Sequence, residues 1–169
     1  LIRIVKVEFN KISHFNYIAS IPSEKNHLEI IYDALNTELE SGRLLTETDK
    51  GKIVLGNDFT DDSFENKIRV GSILKIQGKD FEVVGILKKA STFQINSVIL
   101  MPESDLKDIL NLNDEIDLIV AQIFDKDKAQ EIAKRIGSEL RRDRHIKIGE
   151  EDFSIETPLQ GIQTISTIL

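Results

Sequence analysis

Three histidines, His14, His27 and His145, are the side chains of this 169-residue chain best suited to proton transfer or metal ligation near neutral pH. Their positions are a hairpin, a helix start and a loop, with no HExxH or HxH spacing to join them. They therefore read as ordinary surface or partly packed histidines rather than a metal cluster. The acidic groups Asp61-Asp62, Asp114-Glu115-Asp117 and Asp125-Asp127 could each attract a divalent cation. None has the glycine and terminal bidentate glutamate of an EF-hand loop, so none is read as a metal site. Gly71, Gly78 and Gly85 are spread across a hairpin and do not line a phosphate-cradling loop. No GxGxxG, GxxxxGK[ST] or GxSxG occurs, so any ATP used would be bound by another polypeptide. No nucleophile, base and orienting group come together, and the chain is expected not to be an enzyme.

Composition closes further routes. With 29 acidic against 22 basic residues the net charge is −7, which opposes nucleic-acid binding. The one basic run, Arg141-Arg142-Asp143-Arg144-His145-Lys147, reads as the cationic end of a helix. There is no cysteine, which removes disulfides, thiolate metal sites and thiol nucleophiles. No apolar run reaches the roughly 18 residues of a bilayer span. Both ends look cut, and one reading is that each continues into a membrane helix.

The elements that would position any site follow from periodicity. Residues 2–9 and 12–20 alternate as two strands of a hairpin around Asn10-Lys11. A helix is expected from Pro22-Ser23, capped by Ser23, to about Leu39, with Ser41-Gly42 ending it. Ile53–Leu55 reads as a buried strand, 57–64 as a short acidic helix, and 72–87 as a hairpin turning at Gly78. Ser97–Met101 is a strand, and Pro102 starts a short helix. Residues 116–124 read as a central strand, and Asp127 as the cap of a helix with Ala129, Ile132, Ala133, Ile136 and Leu140 buried. Residues 152–157 read as a strand. Thr157-Pro158-Leu159-Gln160 is a strong helix-start signal, with Ile162 and Ile165 on the face that follows. The fold class is α+β.

Leu39-Glu40-Ser41-Gly42-Arg43-Leu44-Leu45-Thr46-Glu47-Thr48-Asp49 followed by Ile53-Val54-Leu55-Gly56 resembles a segment of MacB/FtsX-like ABC-transporter permease extracytoplasmic domains. Val70 to Leu87, with Gly71, Gly78 and Gly85, is similar to that family's "vGd-i-x-i-x-g-x-x-f-x-VvGil". Ser97 to Pro102 and Phe153 to Gln160 resemble two further segments, and the likeness runs from about Leu39 to the end. The acidic 57–64 stretch departs from the apolar helix common there.

The resemblance implies a two-lobed domain. One lobe would comprise about 1–44 plus 115–157, a βαβ-containing porter-like lobe. The other would be an inserted β-rich lobe at about 45–114, with 158–169 starting a membrane helix. It implies no cofactor in this domain and a place on the outer side of the cell membrane. Its implied partners are a separate ABC-type ATPase, a second permease copy and the membrane. ATP-driven motion would be passed outward (mechanotransmission) through a coupling helix carrying Thr157, Pro158, Gln160, Ile162 and Ile165. Two other readings remain: a binding module holding a peptide or lipidated ligand in a deep apolar groove, and a hydrolase.

Overall fold

The computed structural model describes residues 1–35, 38–61, 67–90 and 93–157 and divides the chain into two compact units, 1–120 and 121–169. Unit 1 is built on strands β1 (Ile2–Phe9), β2 (Ile12–Ile21), β3 (Leu39–Gly42), β4 (Lys52–Leu55), β5 (Ile73–Ile76), β6 (Lys79–Leu87) and β7 (Val98–Pro102). Its helices are α1 (Lys25–Leu35), α2 (Phe93–Asn96) and α3 (Glu103–Leu110).

The first hairpin forms as its alternation requires. Ile2 pairs with Ala19 and Phe9 with Ile12, and Asn10 and Lys11 take φ of 50° and 71°. Two successive positive φ values make the tight turn whose twist matches that of the strands. The β5–β6 hairpin repeats the device with Gln77 at 47° and Gly78 at 84°. The strands run in the order β3-β6-β4-β7-β2-β1-β5, and β5 also pairs with β6. That last pairing closes the sheet on itself, with β3 added to the C-terminal half of β6.

Alternation then sorts side chains into two cores. Val5, Val7, Ile18, Ile53, Leu55, Leu74, Ile76, Val83, Ile99 and Met101 fill one, together with Phe59 and Leu106. Burying each large apolar side chain contributes about 1.5–3 kcal/mol before chain entropy is opposed. On the other face α1 lays Leu28, Ile31 and Tyr32 against Val54, Val84, Leu87 and Leu100. The mean pattern is therefore a sheet with helices laid on it, a mixture of helix and strand.

Several local expectations differ from what is seen. Helix α1 begins at Lys25, where the Glu24 carbonyl accepts from the amides of His27 and Leu28, and no Ser23 cap is formed. It does not extend to Leu39, because Leu39–Gly42 is claimed as a strand by β6. The stretch after Gly56 is a 3-10 turn over Asn57–Thr60, anchored by buried Phe59, and residues 62–66 lie outside the described ones. Residues 116–124 form no strand, with bends at Asp117 and Phe124, and Ile116, Leu118, Ile119 and Phe124 are exposed. Apolar residues on both faces make a central strand only where two neighbours are available, and here neither is supplied.

Unit 2 contains α4 (Ala129–Arg144), preceded by a 3-10 turn over Lys126–Lys128. Asp127 does not cap α4: the N-cap position is Lys128, without a side-chain cap, while Asp125 caps the 3-10 turn, its carboxylate accepting from the Asp127 amide at 3.1 Å. Residues 152–157 form no strand and belong to no sheet. They follow α4 instead, held there by arginine–carboxylate pairs.

Candidate functional site

None of the titratable groups singled out in the sequence converge. His14 lies in β2, His27 pairs with Glu24 on the surface of α1, and His145 is the left-handed C-cap of α4 at φ 57°. Among the described residues no three His, Asp or Glu side chains are placed to hold a metal ion. Glu115 and Asp117 are both engaged by Arg3, and Asp125 by Lys128. The basic run is neutralised in place: Arg141 pairs with Glu151, Arg142 with Glu139 and Arg144 with Asp152. These pairs tie neighbouring segments together and stiffen them.

In unit 1 the stiffness is concentrated between β3 and β4. The Asp49 carboxylate, 5% exposed, accepts from Arg43 Nη1 at 2.6 Å and Nη2 at 2.8 Å. It also accepts from the Thr46 amide at 2.8 Å and the Thr46 hydroxyl at 2.9 Å, and Lys52 Nζ stands 3.3 Å away. Arg43 chiefly, with Thr46 and Lys52 assisting, holds the carboxyl well below the usual carboxylate range despite its burial. Beside it the Tyr32 hydroxyl donates to the Leu45 carbonyl at 3.2 Å and accepts from the Leu45 amide at 3.1 Å. Burial pushes the Tyr32 phenol up to about 12, so it stays a donor at any physiological pH. One turn thus locks α1, β3 and β4 together.

Three glycines of the quoted motifs meet backbone rather than ligand. A Cβ on Gly85 would lie 2.2 Å from the Arg43 carbonyl oxygen. One on Gly56 would lie 2.2 Å from the Asn96 carbonyl oxygen, and one on Gly42 would lie 2.2 Å from that of Val84. Gly85 also sits where β6 slips register against β4 between Ile53 and Val54. The sequence signal is visible as a motif, but its cause, strand-to-strand contact closer than a methyl group permits, is a property of the assembled sheet.

In unit 2 the segment leading to residue 157 is fastened along α4. Arg141 Nη1 donates to Glu151 at 3.0 Å and Arg144 Nη1 to Asp152 at 2.5 Å, and the Arg144 guanidinium lies 5.7 Å from the Phe153 ring centre. Gly137 leaves room for Ile155, whose Cδ1 would be 3.3 Å from a Cβ there. Thr157, expected to cap a helix, is buried. Pro158, Gln160, Ile162 and Ile165 lie outside the described residues. Two open grooves run along α4, one lined by Lys134, Arg141, Glu151 and Phe153, the other by Arg135, Ile136, Glu139 and Arg142. The first also takes in Ile155 and the second Ile132 and Leu140, so both mix charged and apolar side chains. No helix among the described residues is long and apolar enough to cross a membrane.

Comparison with known proteins agrees with these features. The chain is 28% identical over 165 residues to an uncharacterized ABC transporter permease, MJ1507, of Methanocaldococcus jannaschii; the match takes in 97% of the chain but 40% of that protein. The chain therefore spans less than half the length of this relative. The fold is shared with the periplasmic region of MacB from Actinobacillus actinomycetemcomitans (TM-score 0.66, 20% identity, 98% of this chain and 72% of that one). It is also shared with the extracellular domain of the noncanonic ABC-type transporter YknZ from Gram-positive bacteria (TM-score 0.62, 18% identity, 86% and 74%). The family described as MacB-like periplasmic core domain matches residues 20–139, and the chain belongs to that family.

Proposed function

We propose that this domain is the extracytoplasmic part of a permease subunit and works as a mechanical transmission element. ATP would be bound and hydrolysed by a separate ATPase subunit across the membrane. The motion would reach the domain through membrane helices on either flank, with two permease copies acting as a pair. Family membership supports the permease assignment. The observation that supports the mechanical reading is the fastening of Glu151, Asp152 and Phe153 onto α4 by Arg141 and Arg144, which would let motion arriving from residue 157 reach the helix. The helix-start signal Thr157-Pro158-Leu159-Gln160 supports a stiff continuation with Ile162 and Ile165 on one face.

A break in that continuation separates energy input from output. In the full-length transporter a Pro-Gly pair inserted after Ile162 is expected to leave ATP hydrolysis running while transport falls to background, because proline and glycine interrupt helical stiffness. Transport assays on reconstituted vesicles, with phosphate release followed in parallel, read both. Unchanged transport would contradict the mechanical reading.

A further inference from the structure

One stretch of sheet in unit 1 lacks a neighbour among the described residues. β1 has β2 along its whole length on one side, but β5 reaches it only at Val7 and Glu8 on the other. The Gln77 amide donates to the Lys6 carbonyl at 3.1 Å, so even-numbered residues of β1 turn their backbone groups toward the β5 side. By the same alternation Ile2 and Ile4 present theirs to an edge that no described strand covers. Open edges are templates for strand addition.

The chain has already placed a segment of its own at that edge. Asp117 Oδ2 accepts from the Ile2 amide at 2.8 Å, and the Arg3 guanidinium pairs with both Asp117 and Glu115. The residues next to this pin have the composition of a strand but no partner strand: Ile116 is 72% exposed, Leu118 60% and Ile119 78%. If Asp117 stays on the side of Arg3, period-two alternation puts Ile116, Leu118 and Val120 on the side of Ile2 and Ile4. Those two, with Phe15 and Tyr17 across β2, are themselves exposed. Two unpaired apolar rows would thereby become neighbours.

We propose that residues 116–120 act as a strap that zips onto the open edge of β1 through the amide and carbonyl of Ile4, with the Arg3–Asp117 pair as its pin. The unpaired and paired forms are two states of one segment, and they differ in how firmly unit 1 holds its own last residues. This holds whether or not the domain transmits force.

The absence of cysteine in this chain makes the test direct. In the full-length permease, Ile4→Cys is combined with Ile116→Cys, the antiparallel neighbour, or with Leu118→Cys, the parallel one. One of these pairs is expected to oxidise within a chain at least about tenfold faster than Ile4→Cys with Phe124→Cys, since a disulfide needs closely placed Cβ atoms. Adding Arg3→Ala should slow that reaction by removing the pin. Failure of both pairs, or a chain-to-chain disulfide from Ile4→Cys alone, overturns the proposal; the second outcome would mean that the edge pairs with another copy. Amide exchange on the unsubstituted permease gives an independent reading, with slow exchange at Ile4 expected and fast exchange overturning the strap.

Discussion

Gly85→Ala lowers the stability of the folded chain by at least about 3 kcal/mol, among the larger effects one methyl group can have. The added carbon would fall 2.2 Å from the Arg43 carbonyl oxygen and 3.0 Å from the carbonyl carbon, and neither can swing aside as a side chain could. Relief requires β3 to retreat from β6, which stretches the 2.9 Å bond from the Arg43 amide to the Val84 carbonyl. Gly85 does not adopt a left-handed backbone, so the cost is purely one of space. Gly78→Ala provides the contrast. Its φ is 84°, but nothing lies within 4 Å of the new carbon. Only left-handed strain remains there, about 1 kcal/mol. Thermal unfolding separates the two: for a chain of this size the melting point should fall by about 6–12 °C for Gly85→Ala and by about 2–4 °C for Gly78→Ala. Equal shifts would show that β3 and β6 have room between them for a methyl group.

Asp49→Asn removes the charge at the centre of the turn that joins α1, β3 and β4. The amide keeps the shape but loses the two charged hydrogen bonds from Arg43, leaving a buried group poorly matched to its donors. The expected loss at neutral pH is about 2–3 kcal/mol, below the full cost of breaking a buried pair because Arg43 is partly exposed. The pH dependence has a definite sign. The folded-state pKa of Asp49 is depressed relative to the unfolded chain. Its contribution is therefore complete above the unfolded value near 4 and is lost as pH falls below it. Denaturant unfolding of the parent and Asp49→Asn chains should differ most at pH 7, and the gap should narrow steadily from about pH 4 to pH 2 without closing, because the folded-state pKa lies lower still. A gap that stayed constant across that window would rule out the carboxylate as its source.

The parts of the fold legible in the sequence are those governed by neighbours along the chain. The hairpin turns at Asn10-Lys11 and Gln77-Gly78 form where turn chemistry places them, because two residues decide the geometry. The alternation of residues 2–9 likewise marks a strand, but with apolar residues on both sides it does not say that Val5 and Val7, rather than Ile2 and Ile4, enter a core. What is not legible depends on a distant partner. Leu39 reads as the end of a helix that Ser41-Gly42 stops, yet β6 takes Leu39–Gly42 as a strand. Residues 116–124 and 152–157 have strand patterns yet form no strand, and Arg144 draws Asp152 onto α4.

The Asp49 turn and the close-packed glycines are half legible. Gly42, Arg43, Asp49, Gly56 and Gly85 stand out in the sequence as motif residues. Only the assembled sheet shows that Asp49 gathers Arg43, Thr46 and Lys52, or that the glycines admit neighbouring carbonyls. Periodicity describes a face; it does not record what approaches that face. Motif residues with no catalytic logic are in this case a sign of close backbone packing.

The proposed role as a transmission element is tested most directly by watching the domain while the ATPase turns over. Lys79 is exposed at the start of β6, next to the β5–β6 turn, and a single Lys79→Cys gives one spin label on each copy of this domain in the full transporter. With ATP bound by the partner subunit, the label-to-label distance distribution across the permease pair is predicted to shift, and to return after hydrolysis. A distribution identical with and without nucleotide, in a transporter that still moves its substrate, would contradict the account.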